Sequence, residues 1–364
     1  MRFLARKVNT IFIMLGNGCN MNCRYCLQHP LVHHQIASKI NPAIYDFIKQ
    51  IAEENGDQRL CLQFFGGEPL LYFNQIKEIV KNTAGLVDYS IITNGRAMTD
   101  EMVEFFNEYD MPVTISWDGR QVLQTRGFDV FDFRKPLRRR LLRINRLGLS
   151  AVMSSKAYPK EIMQAFEEIG EQYYKLHKYS IRINIDEIFD TGLDDKDLLE
   201  MDYERVQREM KEMADTYIRH LEEGKTEGLS DIYIGNMFFH IKQYCDNGGA
   251  YERVTCCCGN GYSTLNMDLD GKLYPCHNTS QEIGTIYDPY FQYLRKVIAS
   301  DDTKERQDIC RNCIAVSCCQ GGCKLLSDKV REESYCRLKR AVFGTVVSAL
   351  QEYGANHGKE RINQ

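Results

Sequence analysis

Apolar and polar positions follow two rhythms along the first half of the chain. The run Ile11-Phe12-Ile13-Met14-Leu15 predicts a first strand. Asn41-Pro42 predicts a helix start, with proline at the first helical position. Ile44, Phe47, Ile48 and Ile51 follow at i, i+3, i+4 and i+7, one apolar stripe on that helix. Gly56 is placed to end it. Further strands are predicted over 60–65, 89–93, 113–116, 149–153 and 181–185, with helices around 75–82, 100–107, 136–146 and 159–177 between them. Six strands alternating with helices predict an α/β fold on a parallel sheet, open or curved into a partial barrel. Ligand sites on such sheets gather at the C-terminal ends of the strands.

Past residue 190 the rhythm changes. Residues 191–244 are helical and charged and read as a connector. Residues 245–340 are rich in Cys and Gly and poor in periodicity, so they are expected to build little core from side chains and to need metal to organise them. A last helix is predicted over roughly 337–353, which leaves 341–364 as a closing helix and tail.

The chain has 364 residues, 43% of them hydrophobic, enough for a sizeable core. A net charge of −4 argues against general nucleic-acid binding. No apolar run is long enough for a membrane span. Arg2, Arg6 and Lys7 precede an apolar stretch too short for a secretory signal, so a cytoplasmic location is expected. The 15 cysteines, an odd number without sign of export, point to metal binding rather than disulfides. Three lie at 19–26 and eleven at or beyond Cys245; Cys61, between Leu60 and Leu62, is expected to be a small buried hydrophobe.

The run Cys19-Asn20-Met21-Asn22-Cys23-Arg24-Tyr25-Cys26 has the spacing C-x3-C-x2-C directly after the first strand. Three thiolates so close can hold three irons of a [4Fe–4S] cube and leave the fourth open to a small molecule. Three polar loops follow the next strands: Phe65-Gly66-Gly67-Glu68-Pro69, Thr93-Asn94-Gly95 and Ser116-Trp117-Asp118-Gly119. Each alone would serve as a turn. Together, at successive strand ends beside the triad, they suggest a site, and Gly66-Gly67 lets backbone approach a ligand closely.

These motifs over residues 9–187 resemble the radical S-adenosylmethionine (SAM) enzymes, which implies a partial (β/α)6 TIM-like barrel. The resemblance implies that SAM chelates the open iron and is cleaved reductively to a 5′-deoxyadenosyl radical, which abstracts a substrate hydrogen. It places Gly66, Gly67 and Glu68 at the methionyl amine, Asn94 and Ser116 near the ribose and carboxylate, and Tyr25 beside the cluster and adenine. An electron donor such as flavodoxin or ferredoxin is implied as a partner. In the basic run 134–143, Leu137, Leu141 and Ile144 form an apolar stripe and the arginines a solvated face; alternatively one of them, or Arg126, pairs with the SAM carboxylate, or the patch docks an acidic peptide.

The tail resembles the C-terminal SPASM iron–sulfur domain of peptide-modifying radical SAM enzymes over about 256–340, through Cys258, Cys276, Cys310, Cys313, Cys319, Cys323 and Cys336. That resemblance implies two auxiliary [4Fe–4S] clusters, three in all. Cys258, Cys276 and Cys323 would bind the first, with Cys256 or Cys257 as candidates for its fourth ligand and Cys245 a poorer one. Cys310, Cys313, Cys319 and Cys336 would bind the second. Cys318 fits no ligand spacing, and a pair of zinc ribbons is the alternative for the tail. His277 is either a group near a cluster, acting as hydrogen-bond partner or proton acceptor, or a polar turn residue. His33-His34 are expected on a solvated loop. The expected activity is hydrogen abstraction from a peptide or protein residue, giving oxidation or crosslinking as in ribosomal peptide natural-product maturation. The alternatives are anaerobic sulfatase maturation and a non-catalytic multi-cluster electron carrier. The sulfatase maturases usually carry aspartate where His277 stands and glutamine where Phe65 stands.

Overall fold

Alternation along the strands sets the two faces of the sheet. In β1 (Thr10–Met14), Ile11 and Ile13 are fully buried while Thr10 and Phe12 are half-exposed. In β2 (Cys61–Phe65), Leu62 and Phe64 are buried, and Cys61, Gln63 and Phe65 are not. β3 (Asp88–Thr93) and β4 (Val113–Ser116) repeat the pattern. The buried face is met by helices: Ile44, Ile48 and Ile51 from Ala43–Asn55, Ile76, Ile79 and Val80 from Phe73–Thr83, and Val103 and Phe106 from Asp100–Glu108. A parallel sheet covered on both faces carries unbroken apolar strands; this one leaves a mixed face open. Cys61 lies on that open face, its Sγ 3.4 Å from Ser90 Oγ, and is not the buried hydrophobe expected from its neighbours.

The computed structural model describes residues 8–31, 39–190, 196–246, 263–299, 310, 312–319, 321–323 and 326–357. His33-His34 and Cys256 to Cys258 lie outside these residues. Two compact units result: 1–117, 126–149 and 254–302 form the first, and 118–125, 150–253 and 303–364 the second.

In the first unit the strand order is β5-β4-β3-β2-β1-β7-β8-β9, where β7 is Thr264–Asp268, β8 Lys272–Tyr274 and β9 Gly284–Thr285, and only the start of β5 (Leu147–Met153) belongs to it. β1 runs parallel to β2, from Thr10 opposite Cys61 to Met14 opposite Phe65. Its other edge is covered by β7 (Thr264–Asp268), also parallel, from Thr10 opposite Thr264 to Met14 opposite Asp268. β8 (Lys272–Tyr274) and β9 (Gly284–Thr285) continue antiparallel. Part of the cysteine-rich region thus builds core after all: Leu265, Met267, Leu269 and Leu273 are buried. Pairing also satisfies the backbone groups that β1 would otherwise present as a bare edge. The helix expected over 136–146 is shorter, Pro136–Leu141. Asn107 captures the chain beyond it, donating to the Arg143 carbonyl at 3.0 Å and accepting from the Asn145 N–H at 2.7 Å.

In the second unit the rest of β5 lies beside β6 (Arg182–Glu187). Helices Pro159–His177, Tyr203–Glu223, Leu229–Asp246 and Thr345–His357 carry its core. Asp118 opens this unit by accepting the Val152 N–H at 3.0 Å and the Thr125 hydroxyl at 2.6 Å. The chain from Asp328 to Gly344 is helical, with π-type turns at Arg331–Tyr335 and Arg340–Gly344 flanking Cys336–Lys339; such turns concentrate at functional sites.

The loops after β1 and β2 are fastened backbone to backbone. Gly67 N–H donates to the Gly16 carbonyl and Glu68 N–H to the Gly18 carbonyl, both at 2.8 Å. A Cβ on Gly67 would lie 2.4 Å from the Asn17 and Gly18 carbonyl oxygens, and one on Gly66 would lie 2.5 Å from the Gly16 oxygen. Tyr72 closes the strap from the side: its hydroxyl accepts the Gly18 N–H at 2.9 Å, and a Cβ on Gly16 would lie 2.3 Å from its ring. Gly67→Ala should therefore destabilise the protein by about 1–3 kcal/mol, the usual cost of overpacking. Denaturant unfolding checks this, and an unchanged midpoint would show that the strap yields without cost.

Candidate functional site

The strap delivers the chain to Cys19. Cys26 N–H donates to the Cys23 carbonyl at 3.1 Å and His29 N–H to the Cys26 carbonyl at 3.3 Å, so the triad sits on a tight turn. Cys19 Sγ accepts from the Met21 N–H at 3.4 Å and from Asn94 Nδ2 at 3.7 Å. Partial burial pushes the Cys19 thiol up, opposed by the Met21 N–H; the charges of Glu68 and Cys26 push it further and Asn94 pulls it back. Donors aimed at a sulfur suit a thiolate that ligates iron. Three thiols within eight residues, on a loop fixed by backbone contacts, fit a [4Fe–4S] cluster as its donor set.

Glu68 is buried, and its carboxylate is fully engaged: Oε1 accepts from the Leu70 N–H at 3.0 Å and the Thr93 hydroxyl, and Oε2 from the Asn94 N–H at 2.8 Å. Burial raises its proton affinity, and these three donors oppose the rise. Glu68 therefore binds the loop after β2 to the end of β3. Asn94 carries the link on, with Nδ2 donating to Asn20 Oδ1 at 2.9 Å as well as to Cys19. Gly66 and Gly67 form the strap itself. Tyr25 lies under the Arg126 guanidinium, 5.3 Å from the ring centroid. Ser116 ends β4, half-exposed on the open face. The basic run is largely ion-paired: Arg134 with Asp132, and Arg140 and Arg143 with Asp100.

His277 lies on the open face of the first unit. Its ring stacks on Phe12 at 4.6 Å and packs edge-on to Phe65 at 4.4 Å. Gln28, two residues past Cys26, donates to the His277 carbonyl at 3.2 Å. Beside it Cys276 is buried, its Sγ accepting the Asn278 N–H at 3.4 Å.

The second unit contains a cavity lined by Cys310, Cys313, Cys319 and Cys336, with Ala315, Val316 and Tyr335 as apolar walls and Lys339 and Arg340 as cations. Burial pushes the Cys319 thiol up to about 12, and Lys339 counters this more than Glu187 adds to it. Four convergent thiols in a largely apolar wall fit the donor set of a [4Fe–4S] cluster. Arg331 braces the loop nearby, donating to the carbonyls of Leu326 at 3.1 Å, Gly321 at 3.3 Å and Cys323. Cys318 donates to the Met237 carbonyl at 3.9 Å and does not line the cavity. Among the described residues no three His, Cys, Asp or Glu side chains are close enough to grip a single metal ion. Zn–S bonds are about 2.3 Å long, so one zinc gathers its sulfurs far more tightly than a cube does.

Neither Tyr72 nor Gln28 was marked as part of the site by any local pattern, because their partners Gly18 and His277 lie 54 and 249 residues away. Gly16 and Gly18, flanking Asn17 before the first cysteine, were the one available hint.

Residues 13–120 match the profile of the Radical SAM superfamily. The radical SAM cyclopropyl synthase TigE of Paramaledivibacter caminithermalis is 33% identical over 132 residues, covering 31% of this chain but only 28% of TigE. The cysteine-type anaerobic sulfatase-maturating enzyme of Clostridium novyi is 23% identical over 345 residues, 85% of this chain and 86% of that one. Among solved structures, anSMEcpe with bound AdoMet superposes with a TM-score of 0.66 at 18% identity, over 97% of both chains. SuiB of Streptococcus suis gives 0.55 at 17% identity, over 87% of this chain and 73% of SuiB. The fold is therefore that of the radical SAM enzymes with a partial barrel, and among the described residues no helix is long and apolar enough to cross a membrane. The superfamily implies a [4Fe–4S] cluster and SAM, and residues 13–120 of this chain are a radical SAM domain.

Proposed function

We propose that the chain cleaves SAM reductively and oxidises or crosslinks a side chain of a peptide or protein substrate. One observation carries this reading: His277 lies on Phe12 and Phe65 over the open face of the sheet, tethered by Gln28 to the loop of the cysteine triad. A group able to take a proton stands there above the surface that alternation leaves free. The peptide part is supported by analogy of fold, since solved structures of anSMEcpe contain bound Cp18Cys peptide and SuiB has been solved with its precursor peptide SuiA.

A cluster with one open iron, carrying SAM, supplies one-electron cleavage and a hydrogen-abstracting radical. The chain's own residues do the rest. Cys19, Cys23 and Cys26 hold the cluster, and Asn94 and the Met21 N–H steady the Cys19 sulfur. Gly66 and Gly67 bring backbone to SAM, with Tyr25, Arg126, Asn94 and Ser116 around it. Cys310, Cys313, Cys319 and Cys336 would hold an auxiliary cluster. A side chain that has lost a hydrogen atom to the radical would pass one electron to an auxiliary cluster and shed a proton, which His277 would take. Flavodoxin or ferredoxin supplies the electrons.

Sulfatase maturation is the second reading, favoured by the alignment along 85% of the chain. Against it, the two departures at Phe65 and His277 are in contact and act as one change to the wall of the site.

The anaerobically reconstituted, reduced protein should form 5′-deoxyadenosine from SAM, and Cys23→Ala should form none. Product from Cys23→Ala, or none from the parent, would contradict the reading. Replacing Cys19, Cys23 and Cys26 together with Ala should remove about four irons per chain and leave about eight; complete loss of iron would contradict separate clusters. His277→Gln should keep uncoupled formation of 5′-deoxyadenosine while substrate oxidation falls by about 10²-fold or more, measured by mass spectrometry. Equal loss of both would make His277 structural.

A further inference from the structure

Of the two cations that line the four-cysteine cavity among the described residues, Lys339 is the more enclosed, its side chain 14% exposed. It lines that cavity, while Arg340, the other cation there, is exposed to screening solvent. Among the described residues no carboxylate lines the cavity. The Lys339 ammonium pairs with Glu187, whose side chain is 3% exposed. It also stands 4.8 Å from the Phe343 ring centroid and 5.3 Å from that of Tyr335, itself a cavity wall. Among the described residues Glu187 Oε1 and the Tyr233 hydroxyl are buried without a hydrogen-bond partner. The arrangement is thus a largely enclosed ion pair with its cation on the cavity wall and its carboxylate off it. Buried ion pairs seldom stabilise a fold more than apolar residues of the same volume would, so the pair calls for another role.

We propose that Lys339 is a positioning charge that raises the reduction potential of the cluster held by Cys310, Cys313, Cys319 and Cys336, with Glu187 fixing its place and moderating its effect. The inference rests on the reading that those four cysteines hold a [4Fe–4S] cluster. Such a cube with four thiolates bears two negative charges when oxidised and three when reduced. A fixed positive charge in a poorly screened wall favours the form with the extra electron, because the attraction grows with the charge it faces. Glu187, set back from the cavity, opposes this from a greater distance.

The test is a redox titration of the full chain followed by electron paramagnetic resonance, together with iron analysis. The relevant signal is the one that Cys313→Ala abolishes along with about four irons; if Cys313→Ala keeps both, the cavity holds no cluster and the underlying reading fails. With that signal assigned, Lys339→Met should raise the oxidised-to-reduced ratio at fixed potential about tenfold, which for one electron is about 59 mV towards more negative potential. Glu187→Gln should shift the midpoint the opposite way, and Lys339→Arg should stay near the parent. A merely structural pair would lose iron or shift both single variants in the same direction, which overturns the proposal. So does an unmoved midpoint in Lys339→Met with full iron. Should Lys339→Met fail to assemble the cluster, the direction of the Glu187→Gln shift decides.

Discussion

The site depends on one contact of backbone against backbone, Gly66-Gly67 seated on Gly16-Asn17-Gly18. The two hydrogen bonds that join these segments need an approach that no Cβ at Gly67 permits. That approach turns the end of β2 into a fixed anchor for the loop leaving β1. Glu68 extends the anchor to the end of β3 through Thr93 and Asn94, and Asn94 completes it at the Cys19 sulfur. Three strand ends are thereby tied to one thiolate. A cofactor on this triad meets a wall already formed before it binds, which is the physical meaning of preorganisation.

The same sheet supplies the other half of the site. Its strands alternate, so Phe12 and Phe65 stand half-exposed on the face the helices do not cover. Strand β7 then brings the cysteine-rich region onto the free edge of β1, and the turn beyond β8 lays His277 on those two rings. The aromatic pair gives the imidazole a fixed plane, while the Gln28 bond fixes its backbone.

Much of this was legible in the sequence. Strands such as Val113–Ser116 and the helix Pro159–His177 follow the apolar rhythm and a proline start, both local signals. The cysteine spacing singled out the triad and the four tail cysteines that line one cavity, because groups carried to one place by a short stretch of chain keep short intervals. The rest depended on distant partners. Strand β7 is only five residues long and owes its position to β1, more than 240 residues earlier, so no periodicity marked it. Glu68 stood out as part of a motif, yet its work is set by Thr93 and Asn94, 25 and 26 residues on. Lys339 follows Cys336 by three residues, one helical turn, a spacing that a search for ligands passes over.

The account's central claim is that the triad's cluster has an iron open to SAM. Electron paramagnetic resonance of the reduced, anaerobic protein, recorded before and after SAM is added, tests it most directly. The spectral component that disappears when Cys19, Cys23 and Cys26 are replaced should change on adding SAM, and the auxiliary components should not. A triad component that ignores SAM would contradict the account.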